Sequence, residues 1–179
     1  MGATVTTRRN LARTPRRQPI DLADRAGGEM EYSVRDYVPA TDWEQICRVH
    51  DLARPLELSG SCDARAFVPL EQDPESEEIA ACRMWVSCDN TGTVVGFSGV
   101  HEQYIAWLYV DPCHQGHGVG RRLLRQALAV AGPEAWTIAL AGNNRALALY
   151  RSEGFDTAHT FESDNAGYPC ICVRLQRGG

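Results

Sequence analysis

The chain has 179 residues, 44% of them hydrophobic and 23% charged, with a formal net charge of −5; this suits one domain with a sizeable core, not a disordered polymer. No run approaches the roughly 18 consecutive apolar residues of a membrane span, and the polar, Arg-rich start lacks the apolar segment of a secretory signal. Seven cysteines, an odd number without a C-x-x-C pair, argue against a fully paired disulfide framework, so a soluble cytoplasmic protein with reduced thiols and no membrane partner is expected.

In chain order, residues 1–29 differ from the rest. Arg8, Arg9, Arg13, Arg16 and Arg17 precede the first acidic residue, and Pro15 and Pro19 break any helix. A disordered, Arg-rich tail is expected there, followed by one domain over residues 30–179. Such a tail could reach an acidic surface, but a solvated extension is the favoured reading and no nucleic-acid partner is expected. Without those five arginines the formal charge falls from −5 to −10, so the domain itself is acidic. All 18 basic residues are Arg, so the protein cannot acetylate itself on a lysine side chain.

Tyr32 to Val38 reads as a first strand. Thr41 and Asp42 offer a helix cap before Trp43, Ile46, Val49, His50 and Ala53, which recur at helical spacing. Residues 55–81, with four prolines or glycines and an acidic run from Glu71 to Glu78, read as a helix-loop segment. Arg83–Cys88 and Thr93–Gln103 form a hairpin about the polar turn at Asp89–Gly92, and Tyr104 to Val110 is a third, apolar strand. A helix is expected over about Gly118 to Ala131, a strand over Trp136 to Ala141, and a short helix over Asn144 to Glu153 ended by Gly154. Two strands, about 155–162 and 169–175, finish the chain; in the second, Cys170 and Cys172 share a face and read as buried thiols. The order gives an α+β fold in α/β/α layers, with a mixed, largely antiparallel sheet and one splayed parallel pair of strands.

The chemistry concentrates at Leu108-Tyr109-Val110-Asp111-Pro112-Cys113-His114-Gln115-Gly116-His117-Gly118-Val119-Gly120-Arg121, where an apolar strand ends in a glycine-rich turn and a helix begins. Glycines at 116, 118 and 120 let a ligand approach the backbone, and the free N–H groups of a helix start attract a phosphate. A Walker loop is excluded because there is no Lys, and the dinucleotide spacing G-x-G-x-x-G is not met.

Gln115, Gly118 and Gly120 match the Q/R-x-x-G-x-G/A motif, and Asn143-Asn144-Arg145-Ala146-Leu147-Ala148-Leu149-Tyr150-Arg151-Ser152-Glu153-Gly154-Phe155 is similar to N-x-x-A-x-x-L-Y-x-x-x-G-F. On these two motifs, in this order, the chain resembles the GNAT superfamily of N-acetyltransferases, most closely over residues 93–156. The resemblance implies acetyl-CoA as cosubstrate and no metal. It implies that backbone N–H groups of Gln115, Gly116, His117, Gly118, Val119, Gly120 and Arg121 hold the pyrophosphate. Leu108 and Val110 would pair with the pantetheine arm, and Asn143 would contact that arm or order its loop. Tyr150 would protonate the leaving thiolate. Glu102, with His101 as the alternative on the opposite strand face, would take the proton of a primary amine. The acceptor would be a small-molecule amine or a peptide N-terminus, attacking directly in a ternary complex. The alternatives are a CoA-binding module without turnover and a partner adaptor; a homodimer through the C-terminal strands stays open.

Overall fold

The computed structural model describes residues 31–178; the expected tail lies outside the described residues. Strand β1 (Ser33–Asp36), β2 (Arg83–Cys88), β3 (Val94–His101) and β4 (Tyr104–Val110) are antiparallel in sequential order. Strand β5 (Trp136–Leu140) joins β4 in parallel, and β7 (Tyr168–Arg177) lies between β5 and β6 (Phe155–Asn165), giving the order β1-β2-β3-β4-β5-β7-β6. Helix α1 (Pro39–Leu58) covers one face, with Ile46 and Val49 packed against Phe97 and Trp107. Helices α2 (Val119–Ala131) and α3 (Asn144–Ser152) cover the other, where Leu123, Leu124 and Leu147 meet Ile105, Phe155 and Leu175. This is the layered α+β architecture expected from the element order.

Helix α1 departs from its reading in two ways. It starts at Pro39 after Val38, which offers no side-chain cap. Asp42 is instead fully buried, accepting from the Val38 N–H at 2.8 Å and from both terminal nitrogens of Arg35; these bonds hold its carboxyl below the usual range. The helix also runs past Pro55 to Leu58, because Pro55 costs only one backbone bond while Leu58 gains full burial against Leu140, Cys170 and Cys172. The last pair of strands is longer than expected, meeting at a turn through Ala166 (φ 48) and Gly167 (φ 80).

The parallel pair matters most. β4 and β5 share a single register pair, Tyr104 with Trp136, next to the bond from the Trp136 N–H to the Gln103 carbonyl at 3.0 Å. Two side-chain features fasten this end: Tyr104 stacks on Trp136 at 4.2 Å, and the Thr137 hydroxyl donates to the Ile105 carbonyl at 2.8 Å. One residue further along, β4 bulges. Val100 faces Ile105 and Gly99 faces Trp107, so Ala106 has no partner on β3. A bulge bends its strand, and from there β4 and β5 diverge.

Candidate functional site: the gap between two parallel strands

The divergence leaves a groove of about 840 Å³ through the sheet, walled by residues 106–110 of β4 and 137–140 of β5. At one mouth stands the glycine-rich turn. Asp111 caps the short 3-10 turn Pro112–His114 through the Cys113 N–H and is itself held by Arg48 at 2.7 Å. The chain then reverses with Gly116 at φ 85 and Gly118 at φ 81, a region that side chains with a Cβ disfavour. At Gly120 the reason is space: a Cβ there would lie 3.3 Å from Leu149 and 3.5 Å from Val110.

Backbone bonds around this turn run from His114 to Asp111, Gln115 to Pro112 and Arg122 to Gly118. The N–H groups of residues 116–121 therefore have no acceptor among the described residues. Six successive free donors at a helix N-terminus form a cradle suited to a pyrophosphate, so the residues present fit the phosphate end of acetyl-CoA. The expected set needs two adjustments. The Gln115 N–H already turns to the Pro112 carbonyl at 3.4 Å, and its side chain instead ties the region together, donating to the Val110 carbonyl at 3.0 Å and accepting from Arg145. The Val110 carbonyl is thereby occupied, leaving Leu108 and the other β4 backbone groups toward the gap. Val119 is buried in the core, so only its backbone serves the cradle, while the exposed His117 ring packs near Tyr32. Arg121 lines the groove and pairs with Glu153 at 2.9 Å.

Asn143 orders the loop: its side-chain oxygen accepts from the Ala146 N–H at 3.1 Å, capping α3. That cap sets the helix phase, and Tyr150 two turns later lines the groove while 95% buried. Its phenol lies beside the Thr137 side chain, whose hydroxyl donates to the Ile105 carbonyl. Burial pushes the Tyr150 pKa well up, keeping it protonated at neutral pH.

Glu102 is elsewhere. Strand β3 ends at His101, and Glu102 (φ 55) and Gln103 form the turn into β4. Glu102 and His101 are both exposed and neither lines the groove. They sit beyond the end where β4 and β5 remain paired, so the strand alternation that would offer one of them to the site does not exist.

The carboxylates on the groove are Glu57 at the end of α1, Glu75 and Glu78 on the 3-10 segment Pro74–Ala81, and Asp164 near the β6–β7 turn. Desolvation and then Asp73 raise the Glu75 pKa. Glu57 accepts from the Tyr109 phenol at 2.8 Å and from Arg54 at 2.7 Å. Burial, then Glu57, pushes the Tyr109 phenol far above its ordinary value. Arg54 also donates to the Asn165 side chain. Sequence reasoning missed Arg54, Glu57 and Tyr109 as a unit. They are 55 residues apart at their extremes, and the only local hint was an acidic residue just after an apparent helix breaker. Among the described residues no group of acidic, His and Cys side chains could hold a metal ion. No described helix is long and apolar enough to cross a membrane.

A parallel pair parted beside a glycine-rich helix start is the layout that the resemblance to acetyltransferases implied, and comparison with known proteins agrees. The family described as Acetyltransferase (GNAT) domain matches residues 80–157. The chain is similar to the peptidyl-lysine N-acetyltransferase YjaB of Escherichia coli, 35% identical over 114 residues that cover 61% of this chain and 77% of that protein. It is also similar to the N-alpha-acetyltransferase RimI of Mycobacterium tuberculosis, 40% identical over 80 residues, 40% of this chain and about half (51%) of that relative. The solution structure of apo YjaB from E. coli superposes with a TM-score of 0.59 at 26% identity, covering 84% of this chain and 99% of YjaB. The structure of yncA from Salmonella typhimurium with acetyl-CoA has a TM-score of 0.62 at 19% identity, covering 82% and 92%. The chain belongs to the GNAT acetyltransferase family.

Proposed function

We propose that the protein transfers an acetyl group from acetyl-CoA to a primary amine, by direct attack in a ternary complex. The observation that carries this is the continuity of one groove from the free N–H groups of residues 116–121, between β4 and β5, to Tyr150 and on to a carboxylate-rich far side. Acetyl-CoA, lying in the gap, would supply the activated acyl group; the chain holds the phosphates through the turn and the arm through β4. Tyr150 stands where a protonated phenol can give its proton to a departing thiolate. The carboxylates at the other mouth favour a cationic acceptor by attraction. Relatives named as peptide N-acetyltransferases support a peptide amine, from an N-terminus or a lysine side chain, as the first class to try. A cytoplasmic location accompanies this reading.

The test is release of free CoA thiol from acetyl-CoA against a panel of amines and peptides, beside Tyr150→Phe. Turnover on one class, reduced about 10²-fold or more in the variant, is expected. Tight acetyl-CoA binding with no turnover on peptides or small amines would instead make the protein a CoA-binding module.

A further inference from the structure

We propose that Glu57 receives the acceptor's ammonium and takes its proton, an assignment that rests on the acetyltransferase reading. Glu57 lies in the last turn of α1, the part of the helix that crosses the parted strands. Leu58 packs on Leu140 of β5 and Cys172 of β7, and the following Gly60 and Ser61 abut Gly142 in the β5–α3 loop. The helix thus carries Glu57 over the gap.

Its carboxylate is anchored asymmetrically. Both donors, the Tyr109 phenol at 2.8 Å and the Arg54 guanidinium at 2.7 Å, engage Oε2. Oε1 has no partner among the described residues, and the side chain is 19% exposed. One oxygen fixes the group while the other is available to a ligand. The other groove carboxylates lack this preparation. Glu75 and Glu78 stand exposed on a 3-10 segment, and Asp164 caps its own turn through the Gly167 N–H. Glu57 and Tyr150 line the same groove, and the charge of Glu57 acts on the Tyr150 phenol.

The step balances. A proton passes from the ammonium to Oε1, and the freed nitrogen pair attacks the thioester carbonyl carbon. The new N–C bond forms as the C–S bond breaks. The thiolate takes the Tyr150 proton, the second excess proton leaves the newly acylated nitrogen and restores the Tyr150 phenol by way of solvent, and Glu57 returns its proton to solvent, so ammonium and thioester give amide, thiol and one released proton. The titratable and charged groups around Glu57 are Arg54 on its own helix, Tyr109 on β4, Tyr150 on α3, Cys172 on β7 and Glu75 on the 3-10 segment.

The experiment is Glu57→Gln in the full chain, measured from pH 6 to 10 with an amine the unaltered protein acetylates. If that protein acetylates none, the acetyltransferase reading fails before Glu57 is tested. At neutral pH kcat/KM should fall about 10²–10⁴-fold. The deficit should shrink as the pH approaches the amine's own pKa, about 10 for a lysine side chain and about 8 for a peptide N-terminus, where a base is no longer required. Acetyl-CoA affinity should be unchanged. Glu75→Gln and Glu78→Gln, which only thin the attracting charge, should raise the acceptor KM without the loss of kcat seen in Glu57→Gln, while Glu102→Gln, exposed and outside the groove, should change kcat/KM less than about threefold, a margin below the smallest acid–base contribution. Activity of Glu57→Gln near the unaltered level, a deficit equal at every pH, or an equal loss in Glu75→Gln would overturn the assignment. Should Glu57→Gln fail to fold, Glu57→Asp decides: a slower enzyme with the same acidic limb supports the role, and loss of that limb overturns it.

Discussion

Replacing Gly142 by Ala tests how α1 is fastened across the open sheet. A Cβ at Gly142 would stand 2.5 Å from Ser61 Oγ, 2.7 Å from the Gly60 carbonyl oxygen and 3.1 Å from its carbon. The serine hydroxyl can rotate away. The Gly60 backbone cannot, because it occupies a φ of 75° and its neighbours Ser61 and Cys62 both donate to the Leu58 carbonyl at 2.9 Å. Forcing one methyl into packed backbone costs about 1–3 kcal/mol. At roughly 2–4 °C per kcal/mol for a chain of this size, a loss of about 2 kcal/mol lowers the thermal midpoint by about 4–8 °C. Scanning calorimetry or circular dichroism measures it. The partner change, Ser61→Ala, removes a buried hydroxyl that has no hydrogen bond among the described residues, so alone it should be neutral or slightly stabilising. In the double variant it should restore only part of the loss, since the Gly60 clash persists. A Gly142→Ala protein melting within about 1 °C of the parent would refute the claim that this contact is rigid. Because the same turn steadies Glu57, the acceptor KM should rise more than the acetyl-CoA dissociation constant.

Two further outcomes follow from side-chain environment. Asp42→Asn should cost on the order of 2 kcal/mol in denaturant unfolding at pH 7, as charged hydrogen bonds to Arg35 and Val38 are weakened. Because the folded pKa of Asp42 is depressed, first by Arg35, its contribution is whole above the unfolded value of about 3.9. It is lost as the pH falls through the lower folded value, so the gap between parent and variant should close toward pH 2; a gap independent of pH would contradict this. In native thiol titration Cys113, the exposed cysteine, should react fastest. Burial first, then Glu71 and Asp51, pushes Cys47 up to about 12, and burial takes Cys172 up to about 11, so these should wait for denaturant. A fast phase that survives Cys113→Ser would refute that ordering.

The legible parts of this protein are those whose signals are local. The β4 boundaries, the glycine turn and the start of α3 could be read because each rests on residues within a few positions: an apolar run closed by Asp111-Pro112, glycines where φ must be positive, and Asn143 ahead of an amphipathic stretch. Tyr150 followed from its place in that stretch. The far side of the groove was not legible. Glu57 lies beyond Pro55, which reads as a helix stop, and only the burial of Leu58 reveals why the helix continues. Its partner Tyr109 looked like one more core aromatic of β4. Glu102 failed for the opposite reason: a left-handed residue that is not glycine leaves no mark in the sequence, so the hairpin seemed to end two residues later than it does.

The parted strands also make the folded state incomplete by design. Beyond Tyr104 and Trp136 the facing edges of β4 and β5 lack each other's hydrogen bonds, and an extended ligand with amide groups could serve as the missing rungs. Ligand binding and folding are then thermodynamically linked. At one hundred times its dissociation constant, a bound ligand adds about 2.7 kcal/mol to stability. Amide exchange at 106–110 and 138–140 should slow together when acyl-CoA binds. A ligand that fills these rungs would thus raise the thermal midpoint with its concentration, so the sheet reports occupancy of its own gap.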